Sequence, residues 1–239
     1  MGSRKNREVV IMFLAKRLID NIPVVIYEHY GSATEQILLN PGLYEFVTIG
    51  GGGGGVILTG RSSTAVARHW ANGGVGGTVR VQVFVHRPTT ITITISGGAQ
   101  GYTGSFSASG TTLQGNQGGN TSITGVDNLT LISRGGTGAV ITSTSSVGAN
   151  RTPGIIGTNT VTGSAIRKVL ANNAINIVSG NGVVNASGSQ SQPSMPVVYA
   201  NNVNWPENTL CGRGGSVGFP GGIAYNFPGN HGYVRITKL

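Results

Sequence analysis

Six consecutive glycines at 50–55 directly follow a strand-like run of residues, and this succession of strand and glycine recurs along the chain. It is seen again at 91–98 (ITITISGG), 129–136 (LTLISRGG) and 175–182 (INIVSGNG). Glycine has no Cβ, so it allows chain segments to cross closely or polyglycine segments to pack on one another. We therefore expect ordered glycine-rich loops rather than flexible linkers.

Composition favours an all-β fold. The chain has 41 Gly among 239 residues, and only 10% of its residues are charged, against about 25% in an ordinary soluble domain. This argues against a coiled coil or a long helical bundle, while an apolar content of 38% argues against a disordered tail. Val and Ile outnumber Leu, and β-branched residues suit strands. We predict an antiparallel β-sandwich, jelly-roll-like, with long glycine-rich loops.

The clearest strand pair lies at 78–86 and 89–96. Apolar residues alternate strictly with others in both runs, as in Val79, Val81 and Val83 and then Ile91 and Ile93. Pro88 lies in the short connection between them, so the pattern predicts an antiparallel hairpin with one core face. A further strand at 232–237 is expected to close the sheet.

The chain divides into a basic segment at 1–22 and a glycine-rich β domain at 23–239. The first segment favours a short helix over a strand and is ended by Pro23. Within the β domain, 141–211 is richer in Ser, Thr and Asn and is interpreted as an insertion. Inside it, 166–174 is compatible with a turn or two of helix, and 196–199 with a strand.

A net charge of +9 indicates attraction to polyanions, among them a bacterial surface polysaccharide. The bases cluster mainly near the N-terminus, at 4–7 and 16–17, with no nucleic-acid-binding motif, so no specific nucleic-acid partner is expected. The apolar run 9–15 is too short to span a bilayer and lacks a signal-peptide cleavage site, which predicts no membrane span. Cys211 is the only cysteine, which rules out an internal disulfide.

Three motifs resemble catalytic or nucleotide-binding signatures, and each lacks its chemical context. The glycines at 50–55 mimic a dinucleotide fingerprint, but no acid lies between Phe46 and Val126 to bind a ribose. The stretch 55–62 is a P-loop pattern with Arg61 in place of the phosphate-binding Lys. A Gly-x-Ser-x-Gly match at 214–218 is expected by chance in so glycine-rich a chain. The sequence therefore predicts no catalytic residues, no cofactor and no metal site, and no enzyme.

Several aromatic residues lie in glycine-rich stretches, where an exposed ring stacks on a sugar face and neighbouring hydroxyls bind sugar hydroxyls. The alternative is that these rings close the ends of the β core, because large apolar groups seek burial. The candidate receptor-binding residues are Trp70, Tyr102, Phe106, Trp205, Phe219 and Tyr225.

The order of these elements resembles the glycine-rich domain of bacteriophage tail-fibre and tail-tip proteins. The resemblance covers roughly 38–140 and 212–239, and neither 141–211 nor the basic N-terminal segment belongs to the pattern. It is carried by PGLYEFVTI at 41–49 before the polyglycine, TVRVQVFV at 78–85, PTTITI at 88–93, GGNTSI at 118–123, LTLISRGGTG at 129–138 and GYVRI at 232–236.

This resemblance implies a non-catalytic virion structural protein, assembled in the host cytoplasm, that contributes to host-surface recognition. Its implied partners are other virion proteins through the N-terminal segment, a bacterial surface glycan or outer-membrane protein, and further copies of itself, a trimer being favoured. Two alternatives stay open: an architectural virion protein such as a head decoration or tail accessory, without receptor binding, and a polysaccharide depolymerase.

Overall fold

A computed structural model describes residues 22–63, 66–172 and 228–239 in full, and the backbone of 181–185, 217–218 and 225–226. The described residues form strands and no helix, so the predicted all-β fold with antiparallel sheets is confirmed. The strands are β1 (Val24–Tyr30), β2 (Ala33–Leu39), β3 (Gly42–Ile49), β4 (Val56–Arg61), β5 (Val66–Ala71), β6 (Thr78–Val85), β7 (Thr89–Ile95), β8 (Tyr102–Phe106), β9 (Thr112–Gln114), β10 (Thr121–Thr124), β11 (Thr130–Ser133), β12 (Val140–Ser143), β13 (Ala149–Thr152), β14 (Thr160–Thr162), β15 (Ile166–Asn172), β16 (Asn181–Asn185), β17 (Val217–Gly218), β18 (Tyr225–Asn226) and β19 (Tyr233–Lys238).

Two five-stranded sheets pack face to face into what we call the large sandwich. Sheet A has the order β1-β19-β3-β6-β15, and sheet B has the order β14-β11-β10-β7-β2. Period-two alternation turns one face of each sheet inward, which buries Val and Ile side chains from both sheets in one core. That core includes Phe46, Val81, Val83, Ile91, Ile93, Ile123, Leu131 and Ile236.

Two smaller sheets form a second unit, the small sandwich. Sheet C has the order β16-β5-β4-β8 and sheet D the order β13-β12-β9. Val56 and Leu58 of sheet C pack with Ile141 of sheet D and with Phe106 in a separate apolar core. Here β4 and β8 are parallel, the exception among otherwise antiparallel pairings of described strands. Both strands emerge from the large sandwich through a glycine segment, so both run in the same direction.

Glycine-rich segments connect the two sandwiches and form what we call the glycine layer. The chain passes from one sandwich to the other between β3 and β4, β5 and β6, β7 and β8, β9 and β10, β11 and β12, and β13 and β14. A seventh segment, 228–232, leads into β19. The layer thus separates the small sandwich from the large one.

Segment 50–55 lies at the centre of this layer, and its hydrogen bonds repeat every three residues. Gly50 and Gly53 donate to the segment at 74–77, Gly51 and Gly54 donate to the one at 116–119, and Gly52 donates to Asn230. The carbonyls follow the same period: those of residues 51 and 54 accept from 136 and 139, and those of 52 and 55 from 99 and 102. Three residues per turn with no internal bonds is the geometry of a polyproline-II helix, here surrounded by five neighbouring segments.

This packing leaves no room for a side chain at many of the glycines in the glycine layer. A Cβ added to Gly53 or Gly54 would meet the carbonyl of Thr137 or Gln100 closer than 3.0 Å, and the same holds for Gly76, Gly98, Gly118, Gly135 and Gly138 against other backbone atoms. Glycine is required here by space, because backbone meets backbone, as at the crowded axis of collagen.

The predicted hairpin of 78–86 and 89–96 is wrong in its pairing although both strands are present. β6 pairs with β3 and β15 in sheet A, whereas β7 pairs with β2 and β10 in sheet B. The connection therefore crosses from one sheet to the other. Both strands still turn one apolar face to the same core, from opposite sides, which is why the alternation looked like that of a hairpin.

The remaining secondary-structure predictions concern the closing strand, the turn at 166–174 and two segments outside the described residues. The closing strand is confirmed as β19, which lies between β1 and β3. The helical turn at 166–174 is wrong over its described part, since Ile166–Asn172 is strand β15, paired with β6 through two bulges. The N-terminal helix or strand at 1–21 and the strand at 196–199 lie outside the described residues.

The stretch interpreted as an insertion, 141–211, is described over 141–172 and, as backbone, over 181–185. There it contributes strands to sheets shared with the rest of the chain: β14 pairs with β11, β15 with β6, and β16 with β5.

Candidate functional site

The start of β1 and the end of β19 lie together at the outer end of the large sandwich, away from the glycine layer. Val24, next to the first described residues, pairs with Lys238 at the outer end of the large sandwich. Tyr233 pairs with Ile49, which leads into the glycine layer. The outer loops of the small sandwich therefore lie at the opposite end from Val24, the first residue of β1. We call two of them, 107–111 and 144–148, the tip loops.

Ser143 at the end of β12 holds the first tip loop. Its buried hydroxyl donates to the carbonyl of Ala108 at 2.8 Å and accepts from the amide of Thr111 at 2.8 Å. Its backbone carbonyl accepts from Gly110 and its amide donates to Thr111. The side chain of Ser143 thus holds both ends of this loop, Ala108 and Thr111, through hydrogen bonds between uncharged groups.

The second tip loop closes on itself and packs on β4. Thr144 donates its amide to the Gly148 carbonyl, and Gly148 donates to the Ser145 hydroxyl at 2.8 Å. The loop lies directly over Gly60, where an added Cβ would meet Ser146 and Val147 closer than 3.0 Å. Gly60 therefore allows the loop to approach the sheet.

His69 of β5 fixes the same loop from below. Its Nε2 donates to the carbonyl of Val147 at 2.7 Å, and its Nδ1 accepts from Arg151 Nη1 at 3.0 Å, which together define a neutral ring protonated at Nε2. The ring is 3% exposed and lies 5.9 Å from the ring of Phe106. Burial is the main cause that lowers the pKa of His69, and the nearby guanidinium of Arg151 lowers it further, although the hydrogen bond to Val147 acts in the opposite direction.

The tip loops present an uncharged, hydroxyl-rich surface. Exposed residues of these loops include Ser107, Ser109, Thr111, Thr144 and Ser145. Hydroxyls both donate and accept, so a fixed array of them hydrogen-bonds other hydroxyl-rich or amide-rich surfaces. Exposed Arg61, the last residue of β4, adds a positive charge at the same end.

The structure separates the predicted receptor-binding rings. Trp70 and Phe106 are 3% and 5% exposed, so neither ring offers a face to a ligand. Tyr102 is 37% exposed, at the edge of sheet C near the glycine layer, where its hydroxyl accepts from Asn116 Nδ2 at 2.9 Å. Trp205 and Phe219 lie outside the described residues, and only the backbone of Tyr225 is described, in β18.

Sequence reasoning missed Ser143, His69 and Arg151 as the residues that hold the tip. His69 and Arg151 are 82 positions apart in the chain, and Ser143 is one serine in a chain rich in them. No local signal marks such residues, because the fold alone brings them together.

Comparison with known protein families, with curated proteins and with solved structures gave no match to this chain. Over the part of the chain that the structure describes, no helix is long and apolar enough to cross a membrane. The same residues contain no cluster of three or more His, Cys, Asp or Glu side chains suited to a metal ion.

Proposed function

We propose that this chain is a non-catalytic bacteriophage virion protein, a tail fibre or tail tip, that contributes to recognition of the host surface through its tip loops. The glycine layer carries this proposal. It is a closely packed spacer that holds the tip loops at the far end from Val24, the first residue of β1, which the N-terminal segment precedes in the sequence. A protein attached to a particle at one end and facing a cell at the other requires such a separation.

The chemistry of the tip suits a glycan or the polar loops of an outer-membrane protein. The backbone of the tip loops is held by Ser143 and by His69, so little backbone conformational entropy is lost when the loops bind. Because the loops carry no charge, recognition by them depends on hydrogen bonds rather than on the net charge of +9.

The test is binding of the fluorescently labelled protein to panels of host strains while salt is raised. We expect saturable binding to some strains only, resistant to salt, because exposed charge pairs are screened and short hydrogen bonds are not. Ser109→Trp places a large ring on the exposed tip and is expected to weaken binding at least tenfold. Gln36→Trp changes another exposed residue, on β2, and is the matched control that is expected to leave binding unchanged.

Other outcomes assign other functions. Binding that salt removes from every strain alike identifies an architectural virion protein whose charge makes it adhere. Reducing ends released from host capsule identify a depolymerase. Tyr102→Ala tests separately whether the one exposed ring among the fully described candidates contributes to cell binding. If it does, Tyr102→Ala weakens binding, and Ser109→Trp still weakens it as well.

The architectural alternative has one observation in its favour. The outer end of the large sandwich exposes large apolar residues on β1 and β2, with Val24, Val25 and Leu38 each at least half exposed. Exposed apolar clusters mark protein contacts. This observation concerns the end opposite the tip loops, so it is compatible with receptor recognition as well.

A further inference from the structure

Strand β1 lies at the edge of sheet A and exposes apolar side chains on consecutive residues. Val24, Val25 and Ile26 are 55%, 50% and 42% exposed. Ile22, just before β1, is 61% exposed, and Leu38 of the neighbouring edge strand β2 is 64% exposed. In a strand, successive side chains point to opposite faces. Val24 and Val25 precede the register shift between Val25 and Tyr27, so the exposure of both shows that both faces of this end of β1 are open.

The other edges of the large sandwich carry charged or polar residues, register shifts or few residues where the start of β1 carries apolar ones. β15 carries exposed Arg167 and Lys168 and two bulges, and β14 has three residues. β2 exposes Thr34, Glu35 and Gln36. Charge, bulges and shortness are the means by which sheets avoid edge-to-edge pairing. In β1 the single irregularity lies between Val25 and Tyr27, and no charge precedes Glu28.

We infer that the edge of β1 accepts an extended, apolar strand of a different protein, flanked by acidic residues, as an added strand of sheet A. Addition of a strand to an exposed edge is a common mode of peptide recognition, in which backbone bonds give affinity and side chains give specificity. This inference rests on the proposed function and names the partner at the attachment end.

Charge decides between a different protein and a second copy. The chain carries 16 bases against 7 acids, and the neighbour of β1 in the sheet, β19, places exposed Lys238 opposite Val24 at the apolar end of β1. In the sequence, the basic clusters at 4–7 and 16–17 precede β1. Two copies meeting here would bring like charges together, whereas an acidic partner gains from them.

The experiment uses the full chain and two labelled peptides of one apolar sequence, Val-Thr-Val-Ile-Thr-Val, one with two Asp at each end and one with two Lys. Fluorescence anisotropy measures their binding. We expect the acidic peptide to bind saturably and at least tenfold more tightly than the basic one. The double variant Val24→Thr, Ile26→Thr keeps the backbone and β-propensity, removes apolar surface, and is expected to weaken binding about tenfold. Val169→Thr, on exposed β15, is the matched control and is expected to have no effect.

Two results would overturn the inference. One is failure of the acidic peptide to bind, or binding that the β1 double variant leaves unchanged. The other is a concentration-dependent dimer in light scattering that the double variant dissociates, since the occupant is then a second copy. Neither result touches the tip loops, so strain-specific cell binding that persists would leave the proposed function standing.

Discussion

Glycines in this chain serve two different physical needs. Gly31, Gly110, Gly125 and Gly163 have φ between +93° and +138°, in the region that other residues rarely adopt, and each lies in a connection between strands. The glycines of the glycine layer have no such φ, and at Gly53, Gly54 and most of the others a side chain is forbidden by the backbone of a neighbouring segment. The two kinds therefore respond differently to alanine: the first through backbone strain, the second through overpacking.

Gly53→Ala is expected to destabilise the protein strongly. The added Cβ would collide with the backbone of Thr137 and Gly136. Backbone atoms, unlike a side chain, cannot change rotamer to relieve the collision. We expect a loss of about 3 kcal/mol in the free energy of unfolding, at the upper end of overpacking costs. Urea denaturation followed by circular dichroism measures it.

Gly104→Ala is the matched control for this change. Gly104 lies in β8, where an added Cβ would meet only the flexible side chains of Leu113 and Leu58, at 3.2 and 3.4 Å. We expect a change within about 1 kcal/mol. Equal losses at both positions would contradict the interpretation that the backbone contacts of the glycine layer make glycine necessary.

At the scale of the strand, local patterning predicted the elements well and their partners poorly. The alternation in β6 and β7 shows which residues are buried, but a strand paired with its neighbour and one crossing to the opposite sheet bury the same alternate residues. The strand β15 escaped prediction because Arg167-Lys168-Val169-Leu170 has no period-two pattern, and its two bulges explain the irregularity. The contacts of His69 at the tip join residues 78 and 82 positions apart, which local signals do not encode.

The contact between β5 and the second tip loop is expected to respond to pH through His69. Because the pKa of His69 is lowered in the folded protein, the unfolded chain, with an ordinary pKa of about 6.5, binds the proton first. The stability that the neutral His69 contributes is therefore fully present above about pH 6.5. It is lost as the pH falls below that value, until the ring is also protonated in the folded protein. The slope from this group is at most about 1.4 kcal/mol per pH unit.

The measurement is the free energy of unfolding between pH 7.5 and 5 for the wild type and for His69→Gln, which keeps a polar side chain but does not titrate. We expect the decline with falling pH to be smaller in the variant. His86→Gln removes an exposed histidine from the large sandwich and serves as the control. A pH dependence that is the same in wild type and His69→Gln would show that this ring is not held neutral by Val147 and Arg151.

At the scale of the whole molecule, the glycine layer makes two sandwiches into one structure. Segment 50–55 bonds to five other segments, and each strand that leaves the large sandwich through the layer continues into the small one. The two apolar cores are separate, so without the layer each would unfold at its own temperature. The amides and carbonyls of the layer are hydrogen-bonded to one another. If one sandwich unfolds together with its segments of the layer, the segments that lead to the other sandwich lose their hydrogen-bond partners, at a cost comparable to lost hydrogen bonds.

We therefore expect thermal unfolding in a single transition, with calorimetric and van't Hoff enthalpies that agree. Trp70 in β5 reports on the small sandwich, and a Trp205→Phe background makes it the only tryptophan in the chain. Its fluorescence and the far-ultraviolet circular dichroism, which follows all sheets, should change at the same temperature. Trp70 changing first, with circular dichroism retained, would mean that the small sandwich opens alone. The glycine layer would then be a flexible joint, and the tip loops would not be held at a fixed distance from the attachment end.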